Sequence, residues 1–127
     1  MMYRKLTRQI IKAFYEVYNE LGTGFLEPVY ESALFFVLRE YGLKVERQCP
    51  ISVYFRGIVI GEYRADLIIE ERVLIELKAV SALQAEHEAQ TLNYLKATDI
   101  NLGLLMNFGD KPEFKRFIFE RKRNSPR

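Results

Sequence analysis

The stretch 63–80, which reads YRADLIIEERVLIELKAV, constrains the fold more than any other part of the chain. Two apolar runs flank a short charged turn at 70–72, a pattern that predicts two strands joined as an antiparallel hairpin. Asp66 lies on the first run, and Glu76 and Lys78 lie on the second. Because side chains alternate faces along a strand, Glu76 and Lys78 share one face, and strand pairing brings Asp66 near them.

Two carboxylates and an ammonium group on a sheet rich in Val, Ile and Leu are unfavourable to bury without compensation. A divalent cation is the simplest compensation, so this stretch is a candidate metal site. A solvent-facing Glu76–Lys78 pair on a half-exposed strand explains the same residues, because Glu-x-Lys often arises by chance in a chain with 28% charged residues. Surface ion pairs of that kind contribute little to the free energy of folding. This stretch alone leaves both interpretations open.

Length and composition limit the class of protein. A chain of 127 residues with 49% hydrophobic residues is large enough for one domain, which we expect over 1–120, and too small for two. No apolar run approaches the roughly 18 residues that cross a bilayer, and the N-terminus lacks the apolar region of a signal peptide. We therefore expect a soluble, cytoplasmic protein with no membrane partner. The single cysteine, Cys49, cannot form an internal disulfide or a thiolate cluster.

The charge balance leaves the partner open. A net charge of +2 does not by itself indicate a polyanionic partner, although a local basic patch is enough to bind nucleic acid. The C-terminal segment 121–127 carries four basic residues and could form that patch. Because such a run is more often a frayed and solvated terminus, we expect a disordered basic tail.

Helical periodicity precedes the strands. Apolar residues at helical spacing predict a first helix over 8–21, with Thr7 as its N-cap. Pro28 suits the first position of a second helix, which makes Glu27 its expected cap, and that helix should end at Gly42.

After the second helix the period changes to alternation. The pattern predicts three antiparallel strands, a helix, a buried strand and a final edge strand, over 51–55, 59–69, 73–80, 82–97, 102–108 and 114–120. The helix over 82–97 is long enough to be a crossover between parallel strands. The predicted fold is therefore α/β, a mixed β-sheet flanked by helices in the order α-α-β-β-β-α-β-β. On the crossover helix, Ala85, Ala89 and Leu92 should form one apolar face.

An ordered set of residues on these elements resembles the PD-(D/E)XK nuclease superfamily, in particular its RecB-like branch: Glu27, Asp66, Glu76-Leu77-Lys78 and Gln90-x-x-x-Tyr94. The run 24–30, GFLEPVY, matches the motif that names the small GxxExxY protein family within it. The resemblance extends over about 6–119 and implies a restriction-endonuclease-like core. One departure is Ala65, which stands where the motif of the superfamily has a proline.

The resemblance implies a role for each residue of the central motif. Asp66 and Glu76 would be ligands of Mg²⁺ or Mn²⁺, and the backbone carbonyl of Leu77 would be a third. Lys78 would orient or help to deprotonate the attacking water and then stabilise the developing negative charge. Hard cations of this kind prefer oxygen ligands and keep several waters, so a few carboxylates suffice.

Glu27, Gln90 and Tyr94 also belong to the resemblance, and two of them, Glu27 and Tyr94, have a structural interpretation as well. At a helix N-terminus, Glu27 stays ionised and ready to bind metal directly or through water, or it only caps the helix. Gln90 and Tyr94 are one helical turn apart and by resemblance lie beside the active site, where they would contact a phosphate or hold Lys78. Tyr94 is equally a plausible core residue. We expect His87 to be a bystander or a hydrogen-bonded surface residue rather than a ligand.

The resulting hypothesis is a metal-dependent nuclease that acts on nucleic acid, DNA more than RNA, with little sequence specificity. One alternative is a non-catalytic module of the same fold that binds nucleic acid or protein. Another is a purely structural domain. Because little chain remains outside the core to recognise a substrate, a homodimer or a partner protein would supply that surface.

Overall fold

Five strands form the frame on which the candidate residues lie. The computed structural model describes residues 2–121, so the expectation for the tail beyond residue 121 lies outside the described residues. In chain order its elements are α1 (Arg4–Leu21), α2 (Glu27–Glu40), β1 (Val45–Phe55), β2 (Ile58–Ile69), β3 (Val73–Lys78), α3 (Ala85–Lys96), β4 (Leu102–Phe108) and β5 (Pro112–Ile118). This order confirms the sequence-based prediction of an α/β fold.

The strands form one mixed sheet in the order β1-β2-β3-β4-β5. Strands β3 and β4 are parallel, and the other neighbours are antiparallel. Helix α3 is therefore the predicted crossover between parallel strands. Among residues 2–121, no helix is long and apolar enough to cross a bilayer.

The sheet has a core on each face. Helices α1 and α2 cover one face, where Phe14, Tyr30 and Phe108 are fully buried among the Leu, Ile and Val side chains of the strands. Helix α3 covers the other face with a smaller cluster, which includes Leu74 and Leu95. Strand β3 lies at the centre of the sheet and contributes to both cores, which explains why its apolar run is nearly continuous.

Both predicted starts of the N-terminal helices are wrong. Helix α1 begins at Arg4 rather than near residue 8, with Tyr3 in a left-handed conformation before it. Thr7 is buried inside the helix, because Leu6 and the half-buried Met2 pack on the core and extend the apolar face by one turn. In α2, the N-cap is Leu26, and Glu27 is the first helical residue rather than the cap.

Strand β1 begins at Val45, earlier than predicted, and the Cys49–Pro50 pair lies in its middle. A proline is tolerated there because β1 is an edge strand, where one side of the backbone needs no partner. Strands β1 and β2 are long, yet only residues 67–69 of β2 pair with β3. The distal part of this hairpin, which we call the ribbon (residues 50–64), therefore projects beyond the sheet. It exposes large apolar side chains: Tyr54, Phe55, Ile58, Val59, Ile60 and Tyr63.

The apolar face predicted for the crossover helix is also wrong. The alanines of that face and Leu92 are exposed, whereas Thr91, Tyr94 and Leu95 are buried. Gly103 of β4 explains the difference, because a Cβ placed there would lie 3.1 Å from Leu95 Cδ1 and 3.2 Å from Thr91 Cγ2. The helix packs closely over this glycine, and that contact selects its buried face.

The end of β3 is clamped by the strand beside it. The strand ends at Lys78, and the buried side chain of Asn107 then continues the contact between β3 and β4. Its Oδ1 accepts the Val80 N–H at 3.0 Å, and its Nδ2 donates to the Val80 carbonyl at 2.9 Å. Gly109 lies against the same segment, because a Cβ added there would be 2.3 Å from the Val80 carbonyl oxygen. This clamp fixes the chain just after Lys78.

We predict that Gly109→Ala destabilises the protein by about 1–3 kcal/mol, because the new methyl group must displace backbone at Val80. The measurement is the free energy of unfolding in urea. Gly61→Ala is the matched control, since a Cβ there makes ordinary contacts of 3.5 Å or more. Equal unfolding free energies for the two variants would contradict the clamp.

Candidate active site

Asp66 and Glu76 meet where β2 and β3 separate. The last paired residues are Leu67 and Ile75, so the next residue on each strand lies beyond the ladder. There each carboxylate takes the place of a backbone acceptor. The Asp66 N–H donates to Glu76 Oε2 at 2.8 Å, and the Leu77 N–H donates to Asp66 Oδ2 at 2.8 Å. The two carboxylates therefore stay within the sheet rather than pointing to bulk water.

Burial makes both carboxylates hard to ionise. Glu76 is only 4% exposed, and burial, followed by the nearby charge of Asp66, raises its pKa from the ordinary 4.5 to about 8. The pKa of Asp66 is also raised, mainly by burial and further by the charges of Glu31 and Glu27. The hydrogen bond from the Leu77 N–H acts in the opposite direction. Concentrated negative charge of this kind is what a cation would relieve.

Lys78 lies two residues beyond Glu76 at the half-buried end of β3. Its positive charge lowers the pKa of Glu76, although less than burial raises it. The side chain of Leu77 between them is buried in the core beneath α1 and α2, as strand alternation predicts. The Glu-x-Lys pair consequently lies on the face of β3 that is opposite to Leu77.

Glu27 faces the same site from the first turn of α2. It lines a pocket of about 170 Å³ together with Pro28, Glu31, Gln48, Asp66 and Leu77. Its charge raises the pKa of both Asp66 and Glu76. Because a helix N-terminus favours negative charge, α2 offsets part of the repulsion that Glu27 adds.

The GFLEPVY run forms the turn that places Glu27. Gly24 has a φ of 108°, a conformation that favours glycine. The Tyr30 hydroxyl donates to the Gly22 carbonyl at 2.7 Å and accepts the Phe25 N–H at 3.2 Å, so it joins both ends of the turn to the start of α2. The Tyr30 ring is fully buried and stacks on Phe108 at 4.2 Å. This tyrosine therefore anchors the segment that carries Glu27.

Gln90 and Tyr94 contact each other on α3. Gln90 Nε2 donates to the Tyr94 hydroxyl at 2.8 Å, and Tyr94 is 5% exposed. The pKa of Tyr94 is raised mainly by burial, and the charges of Glu76 and Asp66 raise it further. The Tyr94 ring also lies 5.4 Å from that of Tyr63, which is 48% exposed.

His87 has a structural role at the start of α3. Its Nδ1 accepts the Gln84 N–H at 2.9 Å, and the two residues form a capping box. The expectation of a hydrogen-bonded histidine agrees with this contact.

Sequence reasoning missed three residues on the rim of the site. Glu31 is buried, and it accepts hydrogen bonds from Arg47 and Gln48. Gln48 Nε2 also lies 3.4 Å from Asp66 Oδ1. The position of Glu31, one helical turn after Glu27, was a readable signal. Gln48 gave no such signal, because it reaches the site through a left-handed backbone, with φ 48°.

The donor set suits a hard divalent cation. Within residues 2–121, no three His, Cys, Asp or Glu side chains form a group that could hold a metal ion. Asp66 and Glu76 nevertheless provide two adjacent carboxylates, which is enough for Mg²⁺ or Mn²⁺ because these ions keep several waters. Burial, together with the neighbouring carboxylates, raises the pKa of both groups, and the charge of Lys78 offsets only part of this for Glu76. The residues present therefore fit a bound cation.

This five-stranded α/β domain belongs to a known family of proteins. The sequence matches the family model of the PD-(D/E)XK nuclease superfamily over residues 4–117, and the chain belongs to that superfamily. Membership supports a nuclease-like function. The crystal structure of SSO0001 is similar to this chain, with a TM-score of 0.56 and 20% identity, over 75% of this chain and 50% of that one. This likeness supports the fold alone, and our chain spans about half the length of that protein. A search of curated proteins found no match.

We predict that Glu76 makes the stability of the metal-free protein depend on pH. The folded state keeps Glu76 protonated up to about pH 8, whereas an unfolded glutamate loses its proton near 4.5. The folded state therefore binds more protons between these values, and this contribution to the unfolding free energy falls as the pH rises. Asp66 acts in the same direction.

The measurement is urea unfolding in chelator at several pH values from about 5 to about 9, with Glu76→Gln as the comparison. The wild-type unfolding free energy should fall by a few kcal/mol more than that of the variant across this range. Parallel pH profiles for the two proteins would show that Glu76 is not buried as a neutral acid.

We predict that Tyr30→Phe costs about 1–3 kcal/mol of stability, because the Gly22 carbonyl and the Phe25 N–H lose their partner. The same change should weaken Mn²⁺ binding by loosening Glu27. Tyr18→Phe is a control for the loss of a tyrosine hydroxyl elsewhere, since Tyr18 donates to the carbonyls of Gly109 and Asp110. Calorimetry of folding and of Mn²⁺ binding would measure both effects. Unchanged Mn²⁺ affinity in Tyr30→Phe would show that this turn does not position Glu27 for Mn²⁺ binding.

Proposed function

We propose that this protein is a metal-dependent nuclease that hydrolyses phosphodiester bonds, and that it acts on DNA in preference to RNA. The observation that carries the proposal is the pair of adjacent carboxylates, the half-buried Asp66 and the buried Glu76, held together near Lys78 at the point where two strands separate. Burial raises the pKa of both carboxylates, so keeping them ionised side by side costs folding free energy unless a cation or another partner compensates them. Membership of a nuclease superfamily supports the same function.

In this proposal Asp66 and Glu76 hold Mg²⁺ or Mn²⁺, the Leu77 backbone carbonyl is a further ligand, and Glu27 binds directly or through water. The cation supplies charge neutralisation of the phosphate and a lowered pKa for a bound water. Lys78 donates a hydrogen bond that orients the attacking water and then stabilises the negative charge on the phosphate oxygens. The clamp on Val80 supports this role by fixing the strand end that carries Lys78.

Gln90 and Tyr94 complete the proposed site on the α3 side. Their hydrogen bond to each other leaves the amide of Gln90 and the phenol oriented as one unit. Both groups are neutral, so they can contact a phosphate without competing with the metal for the carboxylates. We assign them to positioning the substrate rather than to holding Lys78.

We further propose that the chain is a GxxExxY-type member of the RecB-like branch. Two contacts support the assignment: the turn that Tyr30 closes beside Glu27, and the bonded pair Gln90 and Tyr94. The substrate would lie along the ribbon, which carries Arg56 and Arg64 beside exposed aromatic rings. Cationic and aromatic groups together suit a nucleic-acid strand. A homodimer or a partner protein in the cytoplasm would extend this surface.

The second candidate function is a non-catalytic module that binds nucleic acid or protein through the same fold. One observation favours it: Asp66 and Glu76 already accept backbone N–H groups, so part of their role is structural. Such a module would retain salt-sensitive nucleic-acid binding in chelator and would not cleave.

We predict that Lys78→Ala lowers cleavage by about 100-fold or more while keeping most Mn²⁺ binding, because the ammonium acts on the water and the phosphate rather than on the cation. The substrates are labelled single-stranded, duplex and branched DNA and an RNA control, in Mn²⁺, in Mg²⁺ and in chelator. Lys115→Ala is the matched control, since this lysine lies on the same sheet and pairs with Glu88 at 2.7 Å. Asp66→Asn should lose both cleavage and Mn²⁺ binding.

Products that depend on metal and vanish in Lys78→Ala would support the nuclease. Folded wild-type protein that binds Mn²⁺ yet cleaves none of these substrates would favour the non-catalytic module. Cleavage that Lys78→Ala and Lys115→Ala retain equally would refute the role given to Lys78.

A further inference from the structure

Gln48 is the residue at which β1 changes the faces of its side chains. In a regular strand Val45, Cys49 and Ile51 would share one face. Here Val45 packs in the core beneath α1 and α2, whereas Cys49 and Ile51 pack in the cluster beneath α3. The change occurs at Gln48, whose φ of 48° is left-handed, a conformation that non-glycine residues rarely adopt. The chain keeps an unfavourable backbone at this position.

The left-handed residue Gln48 lies at the same level of the sheet as Asp66 of the candidate site. The ladder between β1 and β2 pairs Arg47 with Leu67 and Cys49 with Ala65. Gln48 and Asp66, which lie between these two pairs, are not paired in the ladder. On its other side, Asp66 lies just beyond the ladder with β3. Asp66 therefore lacks regular ladder pairing with both of its neighbouring strands, β1 and β3. Residues with a strained backbone conformation often occur at functional sites, where the surrounding contacts maintain them.

The left-handed turn places the Gln48 amide between two carboxylates. Its Nε2 donates to Glu31 Oε1 and lies 3.4 Å from Asp66 Oδ1. Glu31 is held on its other oxygen by Arg47, through Nε at 3.2 Å and Nη2 at 3.0 Å. The two hydrogens of one amide nitrogen can thus serve Glu31 and Asp66 together.

The effect is to fix both oxygens of Asp66. Oδ2 accepts the Leu77 N–H, and Oδ1 faces the Gln48 amide. Without the amide, the charges of Asp66 and Glu31 would face each other across the pocket that both line. A neutral donor separates them without adding a positive charge that would compete with a cation.

We infer that Gln48 is a positioning residue for the metal site: its amide, held against Glu31, orients the Asp66 carboxylate for a divalent cation. The inference rests on the proposed function, because it assigns to Asp66 the role of a ligand. Residues that orient a ligand in this way typically change metal affinity by 10-fold to 100-fold when they are removed.

The test separates positioning from a purely structural role by using the strained backbone. Gln48→Gly removes the amide and also relieves the left-handed strain. We therefore expect a melting temperature in chelator that is equal to or above that of the wild type, together with about 10-fold weaker Mn²⁺ binding by calorimetry. Gln48→Met, which keeps the length of the side chain but has no donor, should weaken Mn²⁺ binding to a similar extent.

Glu71→Gly is the matched control for strain alone. Glu71 also has a left-handed φ, 56°, but it lies at the exposed turn between β2 and β3, away from the carboxylates. This variant should bind Mn²⁺ as the wild type does. If both Gln48 variants bind Mn²⁺ with wild-type affinity, the inference is overturned while the metal site stands. If the wild type itself binds no Mn²⁺, both the proposed function and the inference fail.

Discussion

The separation of β2 and β3 after Leu67 and Ile75 is the feature on which the site depends. An unpaired backbone N–H inside a sheet needs an acceptor, and here the acceptors are the carboxylates of Asp66 and Glu76. The same two groups thus complete the sheet and accumulate negative charge within it. A local gap in the ladder between two strands thus becomes the place where two carboxylates lie side by side. The surrounding elements support this gap: α2 brings Glu27, β4 clamps the end of β3, and α3 closes the opposite side.

The sequence predicts the central part of this arrangement because its determinants are local. Alternation along β3 alone places Glu76 and Lys78 on one face, and the charged turn between the two strands brings Asp66 near them. The order of the elements follows from changes of period and was confirmed by the fold. Contacts between distant elements were less predictable. The buried face of α3 depends on Gly103 of β4, and alanines on a helix do not indicate which face is buried.

Departures of the backbone from regular strand and helix geometry were the least predictable part of the structure. No turn residue such as glycine or asparagine in the sequence around Gln48 indicates a left-handed residue inside a strand, and its side chain contacts Glu31 and Asp66, which are distant in the sequence. The early start of α1 has a related cause, since the packing of Leu6 on the core extends the helix further than capping preferences suggest. In both places tertiary packing overrides local preference.

The ribbon formed by residues 50–64 has an evolutionary consequence. Most of its outward side chains are exposed, so substitutions there cost little folding free energy, whereas Glu76 is buried and Asp66 is half-buried beside it. The adjacent carboxylates thus lie in one region of the molecule, and the exposed apolar surface lies in another. Sequence drift should therefore be tolerated far more readily in the ribbon than at Asp66 or Glu76.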